Sequence, residues 1–238
     1  MENSFLFTHE VKNHKFLKKI NSFVCRRRKI KERHELEIKK YWSLIGMMYT
    51  KNFVNLNKFF INEYPLVLEI GFGTGISLVE TARRKKNNNY LGIEVYFPGI
   101  LQCARIIYSL GLKNLRIIYY DATEVFENMI EDFSIERIQI FFPDPWPKNK
   151  HKKRRLLNRQ FIILLLQKLK RGGDLCISTD CKDYSDDIVK TLSSIKNYLN
   201  ITILYDSSNK LFFCPTTVFE KKSKLLGKIN FYILCKKL

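Results

Sequence analysis

Short apolar runs alternate with amphipathic stretches from Leu66 onward, and this alternation is the main regularity of the chain. Runs rich in Leu, Ile and Val are typical of strands buried on both faces, whereas apolar residues three and four positions apart indicate helices. The predicted strands are 66–70, 90–95, 115–119, 137–142, 174–179, 201–205 and 230–234. The predicted helices are 76–84, 99–110, 124–130, 155–170 and 184–195. The pattern therefore predicts an α/β fold with a mostly parallel sheet and helices on both faces.

The N-terminal part of the chain differs from the rest. Residues 1–30 are polar and basic and include Arg26, Arg27 and Arg28. This segment is either a solvated tail or an RNA-contacting arm that becomes ordered on binding. Residues 35–48 carry apolar side chains at helical spacing and should pack as a helix. We therefore expect a basic extension with a helix over 1–60 and one α/β domain over 61–238. The fourth helix of that domain should stop at the glycine pair 172–173.

A glycine-rich turn follows the first strand. Glu69 lies in the strand, Gly71, Gly73 and Gly75 follow, and the next helix begins at Ile76. Such a turn is either ordinary or a nucleotide-binding loop, because glycine allows close backbone approach and the first helical N–H groups face a ligand. A dinucleotide site would place a glycine at position 76. The pattern E-x-G-x-G-x-G instead resembles motif I of the class I S-adenosylmethionine (AdoMet) methyltransferases. The acidic residue suits a ligand with a positively charged amino acid end.

Composition restricts the partners. The chain has 42 Lys and Arg against 23 Asp and Glu, a net charge of +19 and a pI near 9.7. This excess favours a polyanion such as RNA, although an anionic membrane surface or biased codon usage would also account for it. Six cysteines without a C-x-x-C pair argue against a zinc site or a disulfide framework. We expect a soluble cytoplasmic protein that binds no metal and no membrane, more plausibly a monomer than an oligomer.

Acidic residues follow several predicted strands, at the edge of the sheet where open α/β folds bind ligands. Glu94 lies about twenty residues beyond the glycines, where a carboxylate can accept both ribose hydroxyls of a nucleotide. Asp121 could accept the exocyclic amine of an adenine or could cap the following helix. Asp180 adds a carboxylate after the fifth strand.

The loop after the fourth strand reads Phe142-Pro143-Asp144-Pro145-Trp146-Pro147. Three prolines make this turn rigid and non-helical. A basic run follows at once, consisting of Lys148, Lys150, His151, Lys152, Lys153, Arg154 and Arg155. A stiff loop with one acidic and one aromatic residue, followed by cations, indicates a base pocket beside a phosphate track.

These motifs together resemble the bacterial tRNA (guanine-N7)-methyltransferases. The resemblance rests on the F-P-D-P-W-P-K segment, the glycine motif, G-I-E-V over 92–95, S-T-D over 178–180, T-V-F-E over 217–220 and S-F-V over 22–24. It covers residue 22 to the C-terminus. It implies a Rossmann-like class I methyltransferase fold with seven strands, the last antiparallel. It also implies transfer of the AdoMet methyl group to N7 of the variable-loop guanine of tRNA (position 46).

The resemblance also assigns roles to residues. The cofactor site would comprise Glu69, Gly71, Gly73, Gly75, Glu94, Asp121 and Asp144, with Asp144 catalytic. The guanosine would be held by Lys148, Asp180, Thr217, Val218, Phe219 and Glu220. RNA contacts would come from Lys150, His151, Lys152, Lys153, Arg154 and Arg155 and from the arm residues Arg26, Arg27 and Arg28. The chain departs from the family where Arg28 stands in a cluster that usually contains glycine and where Val218 replaces a usual lysine.

The residue types suit this reaction. Guanine N7 has a lone pair and no proton, so its attack on a methyl group needs no general base. Alignment of the reactants and carboxylates facing the developing positive charge would then supply the catalysis. Three alternatives remain at this stage: a methyltransferase for small molecules or proteins, an RNA-binding protein without activity, and a dehydrogenase, which Ile76 disfavours.

Overall fold

The computed structural model describes residues 22–23, 30–195, 199–205 and 215–238. Within them the chain forms one eight-stranded sheet of order β1-β4-β3-β2-β5-β6-β8-β7. The strands are β1 (Gly46–Met47), β2 (Leu66–Ile70), β3 (Asn89–Glu94), β4 (Leu115–Tyr119), β5 (Ile135–Phe141), β6 (Leu169–Thr179), β7 (Leu199–Tyr205) and β8 (Phe231–Lys237). The α-helices are α1 (Glu32–Ile45), α2 (Ile76–Arg84), α3 (Phe97–Leu110), α4 (Ala122–Asn128), α5 (Arg159–Lys168), α6 (Lys182–Ser193) and α7 (Val218–Leu225). Two 3₁₀ helices span Leu56–Phe59 and Asn149–Arg154.

The sheet is parallel from β1 to β6, whereas β8 runs antiparallel to both of its neighbours. This confirms the predicted mostly parallel α/β fold with an antiparallel last strand. The expected count of seven strands was one too low, because Gly46 and Met47 pair with β4 as a two-residue strand. The apolar spacing of this segment fits the end of a helix equally well.

The glycine pair 172–173 is a second correction. It lies inside β6 and does not end the preceding helix, since α5 stops at Lys168. The pairing of β5 with β6 jumps from Ile135 opposite Leu169 to Arg137 opposite Asp174. Extra residues therefore bulge out of β6, and Gly172 adopts a positive φ of 73° there.

Helices cover both faces of the sheet because the side chains of β2 alternate between two cores. Val67 packs with α1, α2 and α3 on one face. Leu68 packs with α4, α5 and α6 on the other. All five residues of β2 are buried, which explains why every one of them except Glu69 is apolar.

The N-terminal helix is part of the first of these cores. Ile38 of α1 is completely buried beside α3 residues such as Ile107. Nε and Nη2 of Arg105 donate to Oε1 and Oε2 of Glu37, each at 2.6 Å. The helix begins three residues earlier than expected and ends at Ile45, because Gly46 is extended. The division of the chain at residue 60 stays a prediction.

The parallel strands β2 to β6 end at one edge of the sheet, and this edge carries the predicted site residues Glu94, Asp121, Asp144 and Asp180. Among the described residues, no helix combines the length and the apolar character needed to cross a bilayer.

Replacing Ile38 with alanine should detach α1 from the core. The free energy of unfolding should fall by about 2–5 kcal/mol, because a buried branched side chain leaves a cavity. The matched change Leu36→Ala, on the exposed side of the same helix, should change it by less than about 0.5 kcal/mol. Urea titration measures both values, and equal effects would mean that α1 does not pack as described.

Candidate active site at the carboxyl edge of the sheet

The glycine loop has the backbone shape that its sequence predicts. Gly71, Gly73 and Gly75 all have positive φ, between 59° and 75°. A Cβ on Gly75 would lie 2.4 Å from Sγ of Cys103, whereas a Cβ on Gly73 would meet nothing within 4 Å. The loop therefore packs closely on α3 at its end and faces open space in its middle, as a ligand-binding turn requires.

Glu94 holds this loop against the end of β3. Its Oε2 accepts the Gly73 N–H at 2.8 Å. Its Oε1 accepts the N–H groups of Val95 and Tyr96 at 2.7 and 2.9 Å. Burial raises the pKa of Glu94, the three backbone donors oppose that rise, and the nearby charge of Asp144 adds to it. Glu94, the residue predicted to bind the ribose hydroxyls, thus also holds the glycine loop in place.

Glu69 lies under the same loop, inside β2. It is 2% exposed, and among the described residues its Oε2 has no hydrogen-bond partner. Burial, with a smaller contribution from the charge of Glu94, raises the pKa of Glu69 to about 8. A buried carboxyl that lacks a partner is costly in a folded protein, and a cationic ligand group would relieve that cost.

Asp121 caps a helix. Its Oδ1 accepts the Thr123 N–H at 2.7 Å at the N-terminus of α4. This is the structural alternative that the sequence left open. The cap uses one carboxylate oxygen, and the contact with adenine stays a prediction.

The loop that carries Asp144 has an unusual backbone. Phe142 and Trp146 have positive φ of 51° and 43°, which side-chain-bearing residues rarely adopt. The Phe142 N–H donates to the Ser178 carbonyl of β6 at 2.8 Å. Asp144 is exposed at the rim between these two residues. Desolvation nevertheless raises its pKa. Strained residues of this kind persist at functional sites where the surroundings fix them.

Arg155 connects this loop to helix α6. Its Nε donates to the Pro145 carbonyl at 2.9 Å, its Nη2 to Asp183 at 2.5 Å and its Nη1 to Asp187. Its guanidinium also lies 4.6 Å from the ring centre of Tyr184. Only 5% of Arg155 is exposed, so its guanidinium is occupied by contacts within the protein, and the RNA contact expected of it stays a prediction. The aspartates of α6, which the sequence analysis overlooked, are its partners.

The rest of the basic run forms a 3₁₀ helix beside Trp146. The guanidinium of Arg154 lies 4.8 Å from a ring centre of Trp146, and the ring of His151 packs edge-on against it at 5.8 Å. Lys152 donates to Asp183 at 2.7 Å. The remaining cations of the run, Lys148, Lys150 and Lys153, are exposed.

The N-terminal arm reaches this loop. The Nε1 of Trp146 donates to the Ser22 carbonyl at 3.0 Å. Arg26, Arg27 and Arg28 lie outside the described residues, so their contacts with RNA stay a prediction.

The T-V-F-E element precedes β8, the strand that lies beside β6 in the sheet. Thr217 caps α7 by accepting the Glu220 N–H at 3.0 Å, so the element begins a helix that the strand and helix pattern did not predict. The spacing of Thr217 and Glu220 is that of a capping box, which could have revealed it. Glu220 is buried and pairs with Lys224 at 2.9 Å, whereas Val218 and Phe219 are exposed.

Asp180 stands between this element and the Asp144 loop. Its Oδ2 accepts Nζ of Lys228 at 2.6 Å. Among the described residues, no group of His, Cys, Asp and Glu side chains is arranged to bind a metal ion.

The stability of the ligand-free protein should fall as pH rises through the range set by Glu69. Its pKa is about 8 in the folded state against 4.5 ordinarily, so between these values the folded state holds a proton that the unfolded state has lost. The loss of unfolding free energy that comes from ionising Glu69 is absent below pH 4.5 and complete above about pH 8. The Glu69→Gln variant should remove up to about 1.4 kcal/mol per pH unit of this slope. Urea titrations from pH 5 to 8 measure it, with exposed Glu63→Gln as control, and an unchanged slope would contradict the buried carboxyl.

Two solved structures share the fold. A 30S ribosomal A1408 methyltransferase from an uncultured bacterium matches with a TM-score of 0.51 at 13% identity, over 77% of this chain and 91% of that one. A structure described as an antibiotic-related methyltransferase matches with a TM-score of 0.50 at 16% identity, over 76% and 90%. At this identity the likeness shows the fold alone, and it confirms the predicted methyltransferase architecture.

Sequence relatives are more specific. A family model described as "Putative methyltransferase" matches residues 63–233. A tRNA (guanine-N(7)-)-methyltransferase of Buchnera aphidicola subsp. Schizaphis graminum is 42% identical over 236 residues, 99% of each chain. The protein of the same name from Yersinia pestis is 40% identical over 215 residues, 90% of each chain. The chain therefore belongs to the tRNA (guanine-N7)-methyltransferase family.

Proposed function

We propose that this protein transfers the methyl group of AdoMet to N7 of the variable-loop guanine of tRNA. The observation that carries the proposal is the buried Glu69 carboxyl under the glycine loop that Glu94 holds, because its Oε2 has no hydrogen-bond partner in the part of the chain that the structure describes. The choice of tRNA guanine as the substrate rests on the names of the relatives, whose chains match this one over nearly its whole length.

The residues of the loop fit AdoMet. Glu69 would pair with the α-ammonium group of the methionine part of AdoMet. This contact would give Oε2 the hydrogen-bond donor that it lacks among the described residues. The open space beside Gly71 and Gly73 leaves room for the ligand backbone. Glu94 would accept the ribose hydroxyls, and Asp121 would accept the adenine amine through the oxygen that the helix cap leaves. Bound AdoMet supplies an electrophilic methyl group on a sulfonium.

The facing side of the site would hold the guanine. Carboxylates accept the N1 and N2 hydrogens of guanine, so Asp180 after β6 and Glu220 of α7 would be its partners. Asp144, on its rigid loop, would face the imidazole part of the base, where positive charge develops as N7 is methylated. Lys148 and Thr217 would contact the nucleotide beside them. No group needs to remove a proton, since N7 has none.

The basic surface beside this pocket would bind the tRNA backbone. Lys148, Lys150 and Lys153 are exposed next to the Asp144 loop. Each phosphate they neutralise releases counterions, which makes binding salt-dependent. This affinity would offset the cost of freeing the guanine from its stacking in the folded tRNA.

Two tRNA transcripts test the substrate directly. With labelled AdoMet, the transcript that keeps its variable-loop guanine should yield N7-methylguanosine, and the transcript with adenine at that position should yield none. Chromatography of the product nucleosides measures this. Label on another nucleoside would reject the target while keeping the fold and the reaction class.

The Asp144→Asn variant tests the chemistry. It keeps the size of the side chain but removes its charge, so kcat should fall by about 100-fold or more. The dissociation constant for tRNA, measured by filter binding, should change by less than about threefold, because Asp144 makes no phosphate contact in this account. The exposed Glu131→Gln variant serves as control. Near-normal turnover by Asp144→Asn would rule out the role given to this residue.

A further inference from the structure

A groove separates α6 from the edge strand β7, outside the site described above. It encloses about 310 Å³. Its floor is apolar and formed by Val189, Ile203 and Phe231, and its rim is formed by Tyr205, Lys182 and Lys190, with Asp186 beside Lys182. A volume of this size lies at the lower end of small-ligand sites and suits a single base.

The strand register places the groove close to the proposed guanine site. Tyr205 pairs with Phe231, which in turn pairs with Thr179. Two strand spacings separate Tyr205 from Thr179, about 10 Å along the same edge of the sheet. Asp180, the proposed guanine ligand, directly follows Thr179. The groove is therefore about one nucleotide away from the guanine site.

Tyr205 presents an exposed aromatic surface at this edge. Its residue is 64% exposed although it ends a strand. The buried Phe231 ring supports it edge-on, with ring centres 5.7 Å apart and planes at 81°. An exposed ring held in place from behind is the usual platform on which proteins stack an unpaired base.

Lys182 and Lys190 supply positive charge on the same rim. Lys182 donates to Asp186 at 2.8 Å, and both side chains are largely exposed, at 76% and 61%. An exposed pair of this kind is weak, so a phosphate can replace Asp186 as the partner of Lys182. The hydrogen bond with Asp186 and the negative charge of that carboxylate raise the pKa of Lys182.

The same helix also connects the groove to the basic run. Asp183 of α6 accepts from both Lys152 and Arg155, on the side of the helix that faces the Asp144 loop. Lys152 of the basic run therefore contacts α6 one residue from the rim lysine Lys182. This proximity and the chemistry of a ring beside ammonium groups favour RNA as the occupant.

We propose that the groove binds an unpaired nucleotide that neighbours the methylated guanine of the tRNA, with its base stacked on Tyr205 and its phosphate held by Lys182 and Lys190. The proposal rests on the proposed function, since it takes tRNA as the substrate. It assigns these residues to substrate binding outside the methyl-transfer pocket.

Substitutions at Tyr205 test the stacking. Tyr205→Ala should weaken tRNA binding about 5- to 100-fold, the range measured for loss of one stacked base. Tyr205→Phe, which keeps the ring, should bind within about twofold of the unchanged protein, whereas Tyr205→Leu should resemble the alanine variant. Tyr108→Ala, an exposed tyrosine on α3, is the matched control. AdoMet affinity and the free energy of unfolding are measured for each variant and should not change.

Substitution at Lys182 tests the phosphate contact. Lys182→Ala should lower the slope of log affinity against log salt by about one, because one phosphate contact is lost. Lys113→Ala, an exposed lysine in the loop before β4, should leave the slope unchanged.

The outcomes separate this proposal from the proposed function. Normal tRNA binding by Tyr205→Ala and Tyr205→Leu, in a protein that makes N7-methylguanosine, would overturn the groove alone. Failure of the unchanged protein to make that product, with tRNA binding still sensitive to Tyr205, would overturn the proposed function alone. If Tyr205→Ala instead converted a dimer to a monomer with tRNA affinity unchanged, the groove would belong to a second copy of the chain and the proposal would be wrong.

Discussion

The carboxylate of Glu94 is the contact on which the site depends. It accepts three backbone N–H groups, one from the glycine loop at Gly73 and two from the turn after β3 at Val95 and Tyr96. Two loops that are far apart in sequence are thereby held together at the edge of the sheet. Charge-assisted hydrogen bonds of this kind are stronger than neutral ones, so the loop is shaped before any ligand arrives. The space beside Gly73 is open in this shape, since a Cβ there would meet nothing within 4 Å.

The same arrangement brings acidic groups close together. Burial raises the pKa of Glu69 and of Glu94, the charge of Glu94 adds to the rise at Glu69, and the charge of Asp144 adds to the rise at Glu94. Such a cluster is unfavourable in a protein without a ligand, and it becomes favourable when positive charge enters. Both reactants of the proposed transfer provide that charge: AdoMet carries it on its sulfonium and ammonium groups, and the guanine acquires it as it is methylated. The proposed reaction would therefore account for the stability cost of the buried carboxyl.

Local patterns predicted the part of the fold that local chemistry determines. Strand β2 and helix α2 lie where their sequences placed them, because a buried apolar run and a glycine turn leave few alternatives. Local patterns were insufficient where distant residues decide. Gly172 is accommodated in a bulge by its pairing with β5, and the cation of Arg155 is buried because α6 supplies two aspartates. Neither partner is visible from the neighbouring sequence, since a basic run looks the same whether it faces solvent or an acidic helix.

The central claim is methyl transfer to the N7 atom itself, and one substituted transcript tests it. A tRNA with 7-deazaguanine at the variable-loop position has a carbon in place of N7 and otherwise keeps the base-pairing and stacking groups of guanine. We expect this transcript to bind with an affinity close to that of the guanine transcript and to accept no labelled methyl group. Incorporation at the rate of the guanine transcript would contradict the account, because the methyl acceptor would then be another atom.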